Sequence, residues 1–134
     1  MAKLEEVEGI GPKYADKLRS AGVKSTSDLL KKGATPAGRK QIEKDSKLSG
    51  KLILRWVNHV DLFRVKGIGP EYAELLEAAG VDTVVELSKR RSDNLYKALV
   101  ETNEKKKLVR LLPGEKRVQS WIEEAKKLPR AISY

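Results

Sequence analysis

The chain aligns with itself at an offset of 58 residues, and this duplication limits its fold more than any other feature. Val7-Glu8-Gly9-Ile10-Gly11-Pro12-Lys13-Tyr14-Ala15 matches Val65-Lys66-Gly67-Ile68-Gly69-Pro70-Glu71-Tyr72-Ala73, and the match runs on through Leu18/Leu76, Ala21/Ala79, Gly22/Gly80, Val23/Val81 and Leu29/Leu87. Further on the offset becomes 65, where Ile53, Trp56, Val57 and Val60 align with Val118, Trp121, Ile122 and Ala125 at helical spacing. The seven extra residues of the second copy are placed between Asn103 and Pro113. The expected division is residues 1–62, residues 63–128 and an irregular tail, 129–134, after Pro129. No Gly/Ser/Pro-rich linker separates the copies, and a unit of ~60 residues buries a marginal core alone. The two are therefore expected to pack together.

Each copy reads as short helices joined by tight turns. Pro12 and Pro70 stand at a first helical position, where a missing N–H costs nothing, and Gly22 and Gly80 stop the helix at its left-handed carboxyl end. Ser25 with Asp28, and Thr83 with Glu86, have capping-box spacing. Thr35-Pro36 and Ser92-Asp93 open a third helix, and a tryptophan helix near residues 50–62 and 115–128 closes each copy. No convincing strand pair is found.

A short helix, an apolar-x-Gly-apolar-Gly turn and a second helix with a small residue, Ala15 or Ala73, four positions after the last glycine resembles the helix-hairpin-helix motif. Glycine lets the backbone turn tightly, Ile10 or Ile68 plugs the core, and the amides left at the helix amino end form a pocket for a phosphate oxygen. The whole unit is similar to the amino-terminal helix-hairpin-helix domain of archaeal recombinases. Through Leu52 to Leu62, Phe63 to Val84 and Asn103 to Pro129 the chain resembles still more closely an uncharacterised two-repeat helix-hairpin-helix family, a domain of unknown function. The resemblance implies an all-helical fold of two tandem units, of the SAM-like or recombinase amino-terminal kind. It also implies turns that grip a nucleic-acid backbone without reading bases. The pattern has a second hairpin before each tryptophan helix, but Lys47-Leu48-Ser49-Gly50-Lys51 and Leu112-Pro113-Gly114-Glu115-Lys116 keep one glycine each and depart from it.

Charge sorts the candidate contacts. Lys and Arg total 28 against 19 Asp and Glu, a net +9 that favours polyanionic partners. The excess lies in residues 31–55, eight basic to two acidic, and 89–117, ten to four; residues 4–30 and 62–88 hold more acids than bases. Lys105, Lys106, Lys107 and Arg110 form the densest cluster. Lys13 follows the first turn, whereas the second has Glu71, which repels a phosphate and is only partly offset by Lys66. The nucleic-acid contacts expected are thus Gly9, Ile10, Gly11 and Lys13 at the first turn, Lys66, Gly67, Ile68 and Gly69 at the second, and the 105–110 cluster, with the first turn favoured.

Other readings are narrower. Trp56 and Trp121 sit inside an apolar stripe and are expected in the core, with Tyr14 and Tyr72 packed beside the turns. The chain has one histidine, His59, expected at the surface or at a cap, and no cysteine, so neither a metal site nor a cofactor is expected. Lys13 falls where helix-hairpin-helix glycosylase/lyases carry a catalytic lysine, but where they place an aspartate this chain has Lys31 and Lys32, and the second copy has Glu71. No enzyme activity and no catalytic residue are expected. The amino terminus (Met1, Ala2, Lys3, Leu4) lacks a signal-like apolar stretch and no run approaches a membrane span, so a cytoplasmic protein without membrane partners is expected. The leading function is non-sequence-specific binding of DNA or RNA through phosphates. The competing one is a protein-interaction or scaffold module in which the same turns are packing devices.

Overall fold

The computed structural model describes residues 3–134; the expectation that rests on Met1 and Ala2 lies outside them. The fold is all-helical. After a 3₁₀ turn at Leu4–Glu6 come α1 (Pro12–Ser20), α2 (Thr26–Lys32), α3 (Pro36–Ser46), α4 (Gly50–Leu62), α5 (Pro70–Ala78), α6 (Val84–Ser88), α7 (Ser92–Lys106) and α8 (Glu115–Lys127), with no strand among the described residues. Two compact units divide the chain: the first runs to Asp61 and takes in Ala131–Tyr134, and the second is Leu62–Arg130.

Local chemistry places the helix ends. Gly11 and Gly69 are the N-caps of α1 and α5, with Pro12 and Pro70 next. At the other end the Val23 amide donates to the Leu18 carbonyl at 2.9 Å and the Gly22 amide to Arg19 at 3.0 Å, the paired bonds that finish a helix through a left-handed residue. Val81 to Leu76 and Gly80 to Glu77, at 2.8 and 3.0 Å, repeat them. Ser25 accepts the Asp28 amide at 3.2 Å, Thr83 the Glu86 amide at 3.3 Å and Thr35 the Gly38 amide at 3.1 Å. The Asp28 carboxylate reaches back to the Lys24 amide at 3.1 Å. Ser92 opens α7 from inside the helix; its N-cap is Arg91, which makes no side-chain cap bond.

The length difference between the copies is spread more widely than the single insertion expected at 103–113. Helix α6 has 5 residues where α2 has 7, and α7 has 15 where α3 has 11. The connection after α7 spans residues 107–114 against 47–49 before α4. Two residues are lost and nine gained, because α7 continues a turn further before a lysine in the left-handed region, Lys107 with φ 50°, ends it as Lys47 with φ 62° ends α3. Asn103 then pins the longer loop, its side chain donating to the Val109 carbonyl at 3.1 Å and accepting the Val109 amide at 3.0 Å.

The apolar stripes meet inside each unit. In the first, Leu4, Val7, Ala15, Leu18, Val23, Leu29, Ile53, Trp56 and Val57 are buried; in the second, Val65, Ala73, Leu76, Val81, Leu87, Leu95, Leu99, Val118 and Trp121 are. Residues 129–134 have no regular secondary structure, yet Ile132 is buried, the Ser133 amide donates to the Ala34 carbonyl at 2.8 Å, and Arg39 bridges the carbonyls of Gly33 and Ser133 at 2.8 Å each. Tyr134 adds a bond to Asn58 on α4 at 3.2 Å. His59 is a correction: it is fully buried, not exposed, in the last turn of α4, with Asn58 and Asp61 buried beside it.

Helices α2 and α3 approach so closely that a Cβ at Gly38 would lie 1.9 Å from the Lys32 carbonyl oxygen. Alanine normally favours a helix over glycine by about 1 kcal/mol. Here Gly38→Ala is expected to destabilise by about 1–3 kcal/mol, the cost of overpacking. A urea transition at higher denaturant than that of the parent protein would contradict this contact.

Candidate functional site

The first Gly-Ile-Gly turn is fixed from beneath. Gly9 has φ +90°, a conformation L side chains rarely adopt, and a Cβ there would lie 3.5 Å from the indole Nε1 of the fully buried Trp56. The Ile10 amide closes the turn on the Val7 carbonyl at 3.0 Å and its side chain is buried. Ile10 therefore positions the turn and offers a ligand neither side chain nor amide. Gly67 with φ +93°, Trp121 at 3.2 Å, and Ile68 bonded to Val65 at 3.1 Å give the second turn the same support.

Above this support the backbone is open. Gly11 caps α1 without a side chain, Pro12 has no N–H, and the amides of Gly11, Lys13 and Tyr14 meet no acceptor among the described residues. A helix start leaves such donors unpaired, and with the partial positive end of the helix they favour an anion. Gly11 itself is not demanded by the fold: its φ is −87°, and a Cβ would meet nothing within 4 Å. Gly69 is alike, with φ −102° and open space.

What surrounds the two turns differs. At the first, Gly9, Gly11, Pro12, Lys13, Tyr14 and Lys17 line a cleft of about 570 Å³ with no carboxylate in its wall. Lys17 is a residue the sequence reading missed, although its i, i+4 spacing from Lys13 places both on one helix face. Arg19 is not offered to a ligand. It bonds to Glu5 at 2.7 Å, which holds the Glu5 carboxyl below the usual carboxylate range and raises the arginine further. Tyr14 packs against Trp56 with ring centroids 5.3 Å apart and planes tilted by 53°, and stays more than a third exposed.

At the second turn, Glu71 and the buried Leu75 stand where the first has Lys13 and Lys17. The Glu124 carboxylate accepts the Lys66 amide at 2.6 Å, so that part of the turn is already used, while the Lys66 side chain is exposed. The Tyr72 hydroxyl donates to the Leu111 carbonyl at 2.9 Å, which brings the longer loop of the second unit onto it. Arg117 lies over the rings of Tyr72 and Trp121, at 5.4 and 5.9 Å, and its guanidinium is 3.6 Å from where a Gly67 Cβ would stand. The sequence reading missed Arg117 as well; its one signal is a position four residues before Trp121 on the same helix face.

Lys105, Lys106 and Lys107 are exposed at the carboxyl end of α7, where cations also complement the helix dipole, and Arg110 is exposed on the following loop. The structure brings this cluster to the second unit. The turns before the tryptophan helices are built differently. Glu43 on α3 accepts the Gly50 amide at 3.0 Å and Ser49 the Leu52 amide at 3.2 Å, so side chains cap the start of α4, whereas Gly114 caps α8 with no side-chain bond. Among the described residues no group of three His, Cys, Asp or Glu side chains is placed to hold a metal ion, and no helix is long and apolar enough to cross a membrane.

The two glycines of the first turn thus have separable roles. Gly9→Ala is expected to cost about 1–2 kcal/mol of stability through its left-handed backbone. Gly11→Ala is expected to fall within about 0.5 kcal/mol of the parent, since the weaker cap is offset by a stiffer unfolded chain. Equal losses in thermal denaturation would show that Gly11 is structural.

No curated protein and no solved structure matches the chain. A family model does: over residues 8–128, nearly the whole length, the chain belongs to the family described as Domain of unknown function (DUF4332).

Proposed function

We propose that this protein binds nucleic acid along its phosphate backbone, without reading bases and without catalysis, using two tandem helix-hairpin-helix units. The observation that carries the reading is Gly11. Neither its backbone angles nor its neighbours require glycine, and a glycine that the fold does not need is suited to close approach by another molecule. The unpaired amides of Gly11, Lys13 and Tyr14 give that molecule an anionic character, and Lys13 and Lys17 add charge beside them. DNA is the expected partner, and RNA phosphates offer the same chemistry.

The first turn carries more of the affinity than the second. Glu71 opposes a phosphate at Gly69, and Leu111 and Arg117 already engage the tyrosine next to it. Lys66 and the cluster of Lys105, Lys106, Lys107 and Arg110 contribute longer-range attraction. The competing protein-docking reading draws on one feature, the apolar floor that Pro12 and Tyr14 give the cleft. In that case Gly11 would matter to a protein partner and not to DNA.

If about 4 phosphates are neutralised, log affinity for a DNA duplex is expected to fall with log salt at a slope of about −3.6, and scrambling the sequence is expected to change little. An amide bonded to a charged group contributes about 1.5–3 kcal/mol. Gly11→Val, whose Cβ meets nothing within 4 Å, is therefore expected to weaken binding roughly tenfold or more, and Gly69→Val less than about threefold. Charge reversal at Lys105, Lys106 and Lys107 is expected to weaken all sequences alike and flatten the slope. A folded parent protein that retains no nucleic acid at ~50 mM salt would overturn the proposal for both turns.

A further inference from the structure

We infer that the cleft at the first turn takes a single nucleic-acid strand, with a base stacked on Tyr14 and the adjoining phosphate on the turn amides. This rests on the phosphate reading above and goes on to name the form of nucleic acid. Tyr14 lies three residues after Gly11 and lines the same cleft. The ring packs against the fully buried Trp56, with centroids 5.3 Å apart and planes tilted by 53°, while the residue keeps 37% of its surface exposed and lines the cleft with Pro12, Lys13 and Lys17. The Tyr14 hydroxyl has no hydrogen-bond partner, and no cation lies over the ring, among the described residues. A braced aromatic face beside an anion-binding row of amides and two lysines suits a nucleotide, which joins a flat π-system to a phosphate.

The second unit indicates what such a ring accepts. There the matching tyrosine, Tyr72, carries the Arg117 guanidinium at 5.4 Å, a planar group of the chain's own, and its hydroxyl is held by Leu111. By the offset of 65 the first unit has Leu52 in place of Arg117, so it supplies no planar cation from that position. The first cleft, about 570 Å³, is within the ~300–1,000 Å³ range of small-ligand sites, enough for a nucleotide. A duplex keeps its bases stacked on one another and offers Tyr14 no base face. A single strand can turn one out.

The test compares an oligothymidine of about 10 nucleotides with a duplex carrying the same number of phosphates, by titration at two salt concentrations. The parent protein is expected to bind the oligothymidine more tightly. Tyr14→Leu is expected to lower that affinity roughly tenfold and the duplex affinity by less than about threefold. Tyr14→Phe is expected to retain it, and Tyr72→Leu to lose nothing. Because Tyr14→Leu could unseat Trp56, the ring-proton signals of Tyr14 are followed by NMR in the parent protein; they are expected to shift strongly on adding oligothymidine and only slightly on adding duplex. Equal binding of the two nucleic acids with equal shifts of the Tyr14 ring signals overturns the stacking inference and leaves phosphate binding standing. Retention of neither one overturns both.

Discussion

The contact on which the structure depends is that of an indole edge against a left-handed glycine. Trp56 Nε1 lies within 3.5 Å of where a Gly9 Cβ would stand, and Trp121 Nε1 within 3.2 Å at Gly67. The contact ties the last long helix of each unit to its first turn, two segments remote in sequence. A side chain would strain the backbone at either glycine, and at Gly67 its Cβ would also crowd the indole. With the turn seated, the isoleucine between the glycines enters the core, the tyrosine that follows lies on the indole, and the start of the next helix is left facing outward. The exposed amides are thus a by-product of how the core closes.

One scaffold carries two different surfaces. In the first unit the turn is flanked by Lys13 and Lys17, and the nearest arginine of its helix, Arg19, is neutralised by Glu5. In the second, a glutamate, a buried leucine, a stacked arginine and a loop carbonyl occupy corresponding ground. The longer loop after α7 accounts for much of this, since it brings Leu111 to Tyr72. A duplicated fold need not keep two equal sites: the backbone of the turn survives such changes because Gly67, Ile68 and Trp121 hold it, while what lies outside it is free to vary.

Much of the fold was legible in the residues because its signals are local. Prolines at first helical positions, glycines past helix ends and hydroxyl caps act within a few residues, and the structure places each helix end they mark. Arg91 in place of a side-chain cap and the dispersed length difference around α6 and α7 were not legible, because a helix end at the exposed surface, as that of α7 is from Glu104 to Lys107, leaves no mark in the apolar pattern. His59 was misjudged for want of tertiary information: its burial depends on elements distant in sequence. At the candidate site the glycines and Lys13 were visible as a motif. Lys17 and Arg117 belong to it only through helix faces that meet the turn in space.

The central claim is that the amides opening α1 receive a phosphate. Amide proton and nitrogen shifts of the parent protein, followed during titration with a short oligonucleotide, test it without any substitution. The account predicts that Gly11, Lys13 and Tyr14 move most and saturate together, with smaller changes at Gly69, Glu71 and Tyr72. Shifts confined to the region of Lys105 to Arg110, with the first turn unmoved, would contradict it.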